Sequence, residues 1–204
     1  MLTPRSTHHR LAMKQFLIPW SLISPGCLIL IASFLQAGQI PWYPASPDLM
    51  LSLVIYGTYW GLVSGFQSLL LWRVQGPSFA LKWGLTTATT GFALMLAHDL
   101  VVLDVLGVNT RGQGSLFLIL SLPALAISGG LVLGFAQFRL IRHLHPENRH
   151  NYRLHRTWFL ASWVSWGLGF LCIFFGNGGL LALLLLAAIG TALKGLFLMS
   201  YLGI

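Results

Sequence analysis

Apolar stretches of about 20 residues recur along the chain, each long enough to cross about 30 Å of hydrocarbon as a helix. Inside a bilayer no water is present to bond backbone N–H and C=O groups, so a spanning segment has to satisfy them internally. Composition agrees with this reading. Of 204 residues, 56% are hydrophobic and 8% are charged, whereas a soluble domain carries roughly 25% charged residues. An ordinary water-soluble fold is thereby excluded, and an all-α integral membrane bundle is expected. With Asp and Glu totalling 4, a two-carboxylate active site or a calcium cage has almost no raw material.

The runs predict six transmembrane helices, near Gln15–Gln36, Leu49–Trp72, Phe79–Leu103, Ser115–Ile141, Trp158–Phe175 and Gly179–Tyr201. They make one transmembrane domain over 15–204, preceded by a basic cytoplasmic segment 1–14 with Arg5, Arg10 and Lys14. A basic-then-apolar start is also the pattern of a cleaved signal peptide. Here the apolar run is long and lacks a small-x-small site, and Ser24-Pro25-Gly26-Cys27 lacks the upstream Leu of a lipoprotein site. A retained first helix is expected. Pro25 and Pro123 fall inside spans and should kink them. Thr86, Thr87, Thr89 and Thr90 make the third span the least apolar.

Net charge is +8. In a soluble domain that excess would suggest nucleic acid, but here the basic residues flank apolar spans, where they set orientation and meet anionic head groups. One side of the six-span arrangement receives Arg5, Arg10, Lys14, Arg73, Lys82, Arg139, Arg142, Arg149, Arg153 and Arg156, and the other only Arg111, with Asp48 and Asp104. Both termini are therefore expected in the cytoplasm. Trp20, Trp72, Trp83 and Trp158 fall near span ends on the basic side, the pattern of an interfacial aromatic belt, with Trp42 and Tyr43 at the opposite surface.

An internal repeat is the most informative pattern. Gly61-Leu62-Val63-Ser64-Gly65-Phe66 recurs as Gly130-Leu131-Val132-Leu133-Gly134-Phe135. Gln67 and Gln137 follow, then Arg73 and Arg142, and the next helix opens with Trp83 or Trp158. Units over about 56–100 and 125–170 thus read as duplicated helical hairpins. Both enter the membrane from the same side, a parallel repeat, whereas inverted repeats are the stronger sign of an alternating-access transporter. Each Gly-x-x-x-Gly puts two bare positions on one helix face, where a neighbouring backbone can come close. Ala188, Thr191, Ala192 and Gly195 offer a degraded version in the last span. Intramolecular packing is the simpler use of these faces, and docking of a partner helix is the other.

At these residues the chain resembles a family of small tandem-repeat membrane proteins best represented in cyanobacteria. That family's pattern is a Gly-x-x-x-Gly helix running into Gln-Trp and a Leu-Arg exit, then a helix opening Trp-x-Leu-Ala-Ser and reaching Gly-Trp-x-x-Gly. Trp158-Phe159-Leu160-Ala161-Ser162 and Trp166-Gly167-Leu168-Gly169 fit it, with Ser165 in place of the usual Gly. Gln137-Phe138 stands for Gln-Trp, and the first copy has Gln67-Ser68. The resemblance covers roughly Tyr56 to Gly203 and rests on motifs of moderate specificity. It implies the fold, and a plasma or thylakoid membrane address, but no activity.

Ionisable groups inside a bilayer are costly and so are candidates for function. His98-Asp99 sits late in the third span with Asp104 just beyond, near the non-cytoplasmic surface. A proton relay or cation site would use such a cluster, and an interfacial pair would look the same. Lys194 lies in the last span, close enough to its cytoplasmic end to snorkel. Gln67 and Gln137 recur at similar depth, either bonding across helices or lining a polar pocket. The loop after the fourth span carries Arg142, His143, His145, Arg149, His150, Arg153, His155 and Arg156. Interleaved Arg repels a metal cation and no Cys completes a ligand set, so docking onto lipid head groups or an acidic partner is expected, and no metal site. A haem b needs two axial ligands at matching depth, and only His98 lies in a span. Chlorophyll or another pigment would need one, but nothing else in the sequence supports it, so no cofactor is expected. Cys27 and Cys172 stand alone, and no P-loop, HExxH or nucleophile triad is visible.

The expected function is therefore a non-enzymatic scaffold, accessory or assembly subunit, binding other membrane proteins or its own copies through small-residue helix faces. The alternative is a small transporter or channel with a polar path past Gln67, Gln137, Lys194 and the His98/Asp99 mouth.

Overall fold

The computed structural model describes residues 4–38, 49–100, 114–144, 155–165 and 179–202, and all regular structure among them is helical. The helices are α1 (Pro4–Ala37), α2 (Leu49–Gln75), α3 (Pro77–Leu100), α4 (Gly114–Leu144), α5 (described over 155–165) and α6 (Gly179–Leu202). The all-α class expected from the sequence is thus the fold adopted. The helix α1 is longer than the apolar run that predicted it. It runs through the basic residues: α1 starts at Pro4, where the ring's fixed φ suits the first helical position, and residues 5–14 hold no Gly or Pro to interrupt it. The helix also continues through Pro19 and Pro25.

Among the described residues one stretch, Leu184–Leu202, is long and apolar enough to cross a membrane by length and composition, with a mean hydropathy of 1.7 over 19 residues. Gln15–Ile31 is apolar but shorter.

Successive helices pack side by side and α6 returns to α1. Close approach of Gly130 to Trp163 joins α4 to α5, and of Gly190 to Ser165 joins α5 to α6, so the six helices form a closed ring. Neighbours run antiparallel. Ser68 meets Gly84 while Trp60 meets Gly91, so residue numbers rise along α3 as they fall along α2. Gly76 alone turns the chain between these two helices, at φ +82. Its N–H bonds back to Trp72 O at 3.1 Å and its C=O accepts from Ala80 N at 3.2 Å. A left-handed residue after the last turn satisfies orphan carbonyls, and Pro77 then starts the next helix. Ser24 and Tyr59 hydroxyls, 2.7 Å apart, tie α1 to α2.

The ring is apolar on the outside. Leu22, Phe34, Val54, Leu69, Leu81 and Phe135 are all more than half exposed. Ser64, Gln67, Thr87, Gln137, Ser162, Thr191 and Lys194 are buried. The packed aromatic end lies where α2 meets α3, and the described basic residues Arg73, Lys82, Arg139, Arg142 and Arg156 are all exposed around it.

The Gly76 turn yields the first prediction. Gly76→Ala should lower stability by ~1 kcal/mol, because a Cβ disfavours the left-handed region, and Gly76→Asn should lose less. Thermal unfolding of the purified variants measures both.

Candidate functional site

The interior is organised by three indoles, one from each odd-numbered helix: Trp20, Trp83 and Trp158, none of them exposed. Trp83 meets Trp20 edge-on at 6.1 Å between centroids and Trp158 at 6.1 Å, with interplanar angles of 62° and 73°. Trp158 meets Tyr201 of α6 at 6.3 Å and 85°. Such edge-to-face pairs set the positive rim of one ring against the negative face of the next. These three tryptophans were expected in an interfacial belt; they are core residues, and only Trp72, at 58% exposure, stays outside. An indole suits a wet interface and a dry core alike provided its N–H finds an acceptor, so sequence position near a span end does not separate the two.

Two of the indole N–H groups are bonded by the neighbouring even helices. Trp83 Nε1 donates to Gln67 Oε1 at 3.0 Å, and Trp158 Nε1 donates to the Gly134 carbonyl at 2.9 Å. Gln137 Nε2 donates to Thr87 Oγ1 at 2.8 Å, tying α4 to α3. Both glutamines therefore bond across helices. Trp20 Nε1, Gln137 Oε1, Ser162 Oγ and Tyr201 OH are buried with no hydrogen-bond partner among the described residues. They leave the centre with donors and acceptors to spare.

Lys194 is 6% exposed, and its Nζ lies 5.4 Å from the Trp158 ring centroid. It does not snorkel. Its place follows from spacing: Ala187, Thr191, Lys194, Leu198 and Tyr201 are all buried, one inward stripe of α6 at helical period. A desolvated ammonium over an indole gains ~2 kcal/mol or more. Of the residues singled out from sequence, Gln67 thus meets Trp83, Lys194 meets Trp158, and Gln137 meets Thr87, one turn along α3 from Trp83. Thr87, Ser162 and Trp20 belong to the same centre and were missed as site residues. Four threonines blurred the signal for Thr87, since Thr89 is exposed and bonds back to Leu85 O at 2.7 Å.

The glycine pairs of the two repeat units play different parts. A Cβ on Gly130 would lie 2.7 Å from the Trp163 Cα, and one on Gly134 would lie 2.9 Å from the Ser162 Cβ. A Cβ on Gly195 would lie 2.6 Å from Trp20 Cδ1. These three positions are consumed by packing within the chain. Around Gly61 and Gly65 a Cβ would meet nothing within 4 Å, and both are exposed. They sit on an outward stripe of α2 with Val54, Leu69 and Trp72.

His98 and Asp99 fall in the last turn of α3, with their side chains outside the described residues, as is Asp104 altogether. In the basic segment Arg142 and His143 are exposed in the last turn of α4, and Arg156 is exposed on α5. His155 stacks edge-on against Phe138 at 4.6 Å. His145, Arg149, His150 and Arg153 lie outside the described residues. Among the described residues no three His, Cys, Asp or Glu side chains group as metal ligands.

The Lys194–Trp158 contact is testable by a double-mutant cycle. Trp158→Phe and Lys194→Met should couple by ~1–2 kcal/mol in unfolding free energy, with the Trp158→Phe loss smaller when Lys194 is already Met. Additive losses would show that the ammonium is held by something other than the indole.

No protein-family profile, curated protein or solved structure matches the chain.

Proposed function

We propose that this chain is a non-enzymatic polytopic membrane protein, with both termini on the basic side, serving as a scaffold or assembly subunit for other membrane proteins. The single observation that carries the proposal is the open Gly61/Gly65 face of α2. In hydrocarbon, helices associate by close van der Waals contact where small residues let backbones approach. A spanning helix of a partner protein fits a face that has two bare positions between Val54 and the pair Leu69 and Trp72.

The membrane setting is supported by the polarity of the ring. Large apolar side chains point outward while Ser64, Gln67, Thr87, Gln137 and Lys194 point inward, the reverse of a soluble bundle. With 27, 24 and 31 residues, α2, α3 and α4 reach about 36 Å or more at 1.5 Å per residue, enough for the hydrocarbon core. Averaged hydropathy undersells α2 and α3, because their inward Gln, Ser and Thr count against them although lipid never meets those groups. Exposed basic residues gathered at one end give the orientation expected of a positive-inside protein. The resemblance to cyanobacterial tandem-repeat proteins adds a plasma or thylakoid membrane as the address. A solute path past Gln67, Gln137 and Lys194 would have to part the Trp83–Trp158 contact, which favours the scaffold reading over the transporter.

The test compares the two glycine faces. Tagged protein is extracted gently from its native membrane and run on a native gel with mass spectrometry. Wild type should co-migrate with a larger membrane protein. Gly65→Leu should abolish co-migration with the unfolding midpoint unchanged, whereas Gly134→Leu should lower that midpoint, since its added side chain meets α5. Association retained in a folded Gly65→Leu protein would overturn the proposal.

A further inference from the structure

A groove of about 500 Å³ opens between α1 and α2, on the face of α2 adjoining the glycine stripe. Its walls are apolar: Leu22, Gly26 and Leu30 on one side, Phe66 and Leu69 on the other. One charged residue lines it, Arg73, exposed in the last turn of α2 at the basic end of the ring. From Pro19 to Leu30 the α1 wall extends about 16 Å, half of the ~30 Å hydrocarbon thickness and so the depth of one leaflet. The trough is therefore as long as one leaflet is deep, apolar along its length, and positively charged where the head groups of that leaflet would lie. Trp72, exposed beside Arg73, adds an indole at the same level.

From this geometry we propose that the α1/α2 groove binds an anionic phospholipid, with one acyl chain between Leu30 and Phe66 and the head-group phosphate on Arg73. The guanidinium presents parallel N–H donors that match two phosphate oxygens, and the apolar walls accept the chain without unpaired polar groups. The assignment rests on the membrane reading above and adds to it a lipid of defined charge at a defined place.

Native mass spectrometry of the full chain, reconstituted in phosphatidylcholine vesicles doped with phosphatidylglycerol and then extracted gently, tests it. Wild type should retain one phosphatidylglycerol in preference to phosphatidylcholine. Arg73→Gln should lower that preference roughly fivefold, equivalent to ~1 kcal/mol. Gly26→Phe, placed where an added Cβ meets nothing within 4 Å, should fill the groove and lose lipid of both kinds with the unfolding midpoint intact. Equal retention of the two lipids by wild type, or an unchanged preference in Arg73→Gln, overturns the proposal. So does a dimer or a protein partner displaced by Gly26→Phe. Alkaline carbonate extraction separates the two failures: a protein that stays in the membrane without lipid preference refutes the groove alone, and one released as soluble refutes the membrane reading with it.

Discussion

The contact between Trp83 and Trp158 joins two helices that flank a third. These residues belong to α3 and α5, which are not neighbours around the ring, so their meeting fixes how far the intervening helix can stand out. Each ring then needs an acceptor for its N–H, and the even helices supply them as Gln67 on α2 and the Gly134 carbonyl on α4. The acceptor on α4 is a backbone group, so α4 cannot rotate without breaking it. Indoles this close to backbone demand bare positions opposite them: Gly195 is where α6 passes Trp20, and Gly91 is where α3 passes Trp60. These two glycines are thus consequences of where the large residues sit. Edge-to-face pairs give only ~0.5–1.5 kcal/mol each beyond the burial of their area, so their value is the geometry they impose on helices that sequence alone leaves free to slide.

That geometry also accounts for the position of Lys194. Thr191 and Leu198 are buried at i−3 and i+4, and turning α6 to release the lysine would expose both and withdraw Tyr201 from Trp158. An ammonium on this stripe is therefore carried inward by its neighbours, and the π face of Trp158 offsets part of the desolvation cost. Reading the residue in isolation, as a long cation near a helix end, gives the opposite answer.

The helices were legible in the sequence because an apolar run of that length has few other uses. α1 begins before the apolar run does, because basic residues end an apolar run but do not end a helix. The repeat exposed the positions that matter, Gly61 to Gly65, Gly130 to Gly134, Trp83 and Trp158. What it left undecided was which of them turn inward. Leu, Val and Phe occupy both faces of these helices, so apolar period carries no inside–outside information where the outside is itself apolar. The polar residues carry it instead, and in α3 the signal was diluted among Thr86, Thr87, Thr89 and Thr90, of which Thr87 is the one buried.

The two glycine pairs, alike in sequence, diverge because they have different neighbours. In the second hairpin the small residues lie on α4 and face α5, so Gly130 and Gly134 are spent on folding. In the first hairpin the close approach is made from the other helix: Gly84 and Gly91 of α3 receive Ser68 and Trp60 of α2. With that contact already made, Gly61 and Gly65 are released to the outer surface. A duplicated unit needs one tight hairpin interface per copy, and the first copy meets that need with a different set of residues. Gly61 and Gly65 are then left on the outer face of α2, where a side-chain-free surface does nothing for the fold. Ala at either position would raise helix propensity by roughly 1 kcal/mol at no steric cost. On this open face the two glycines lower helix propensity, and no close contact within the described residues offsets that cost.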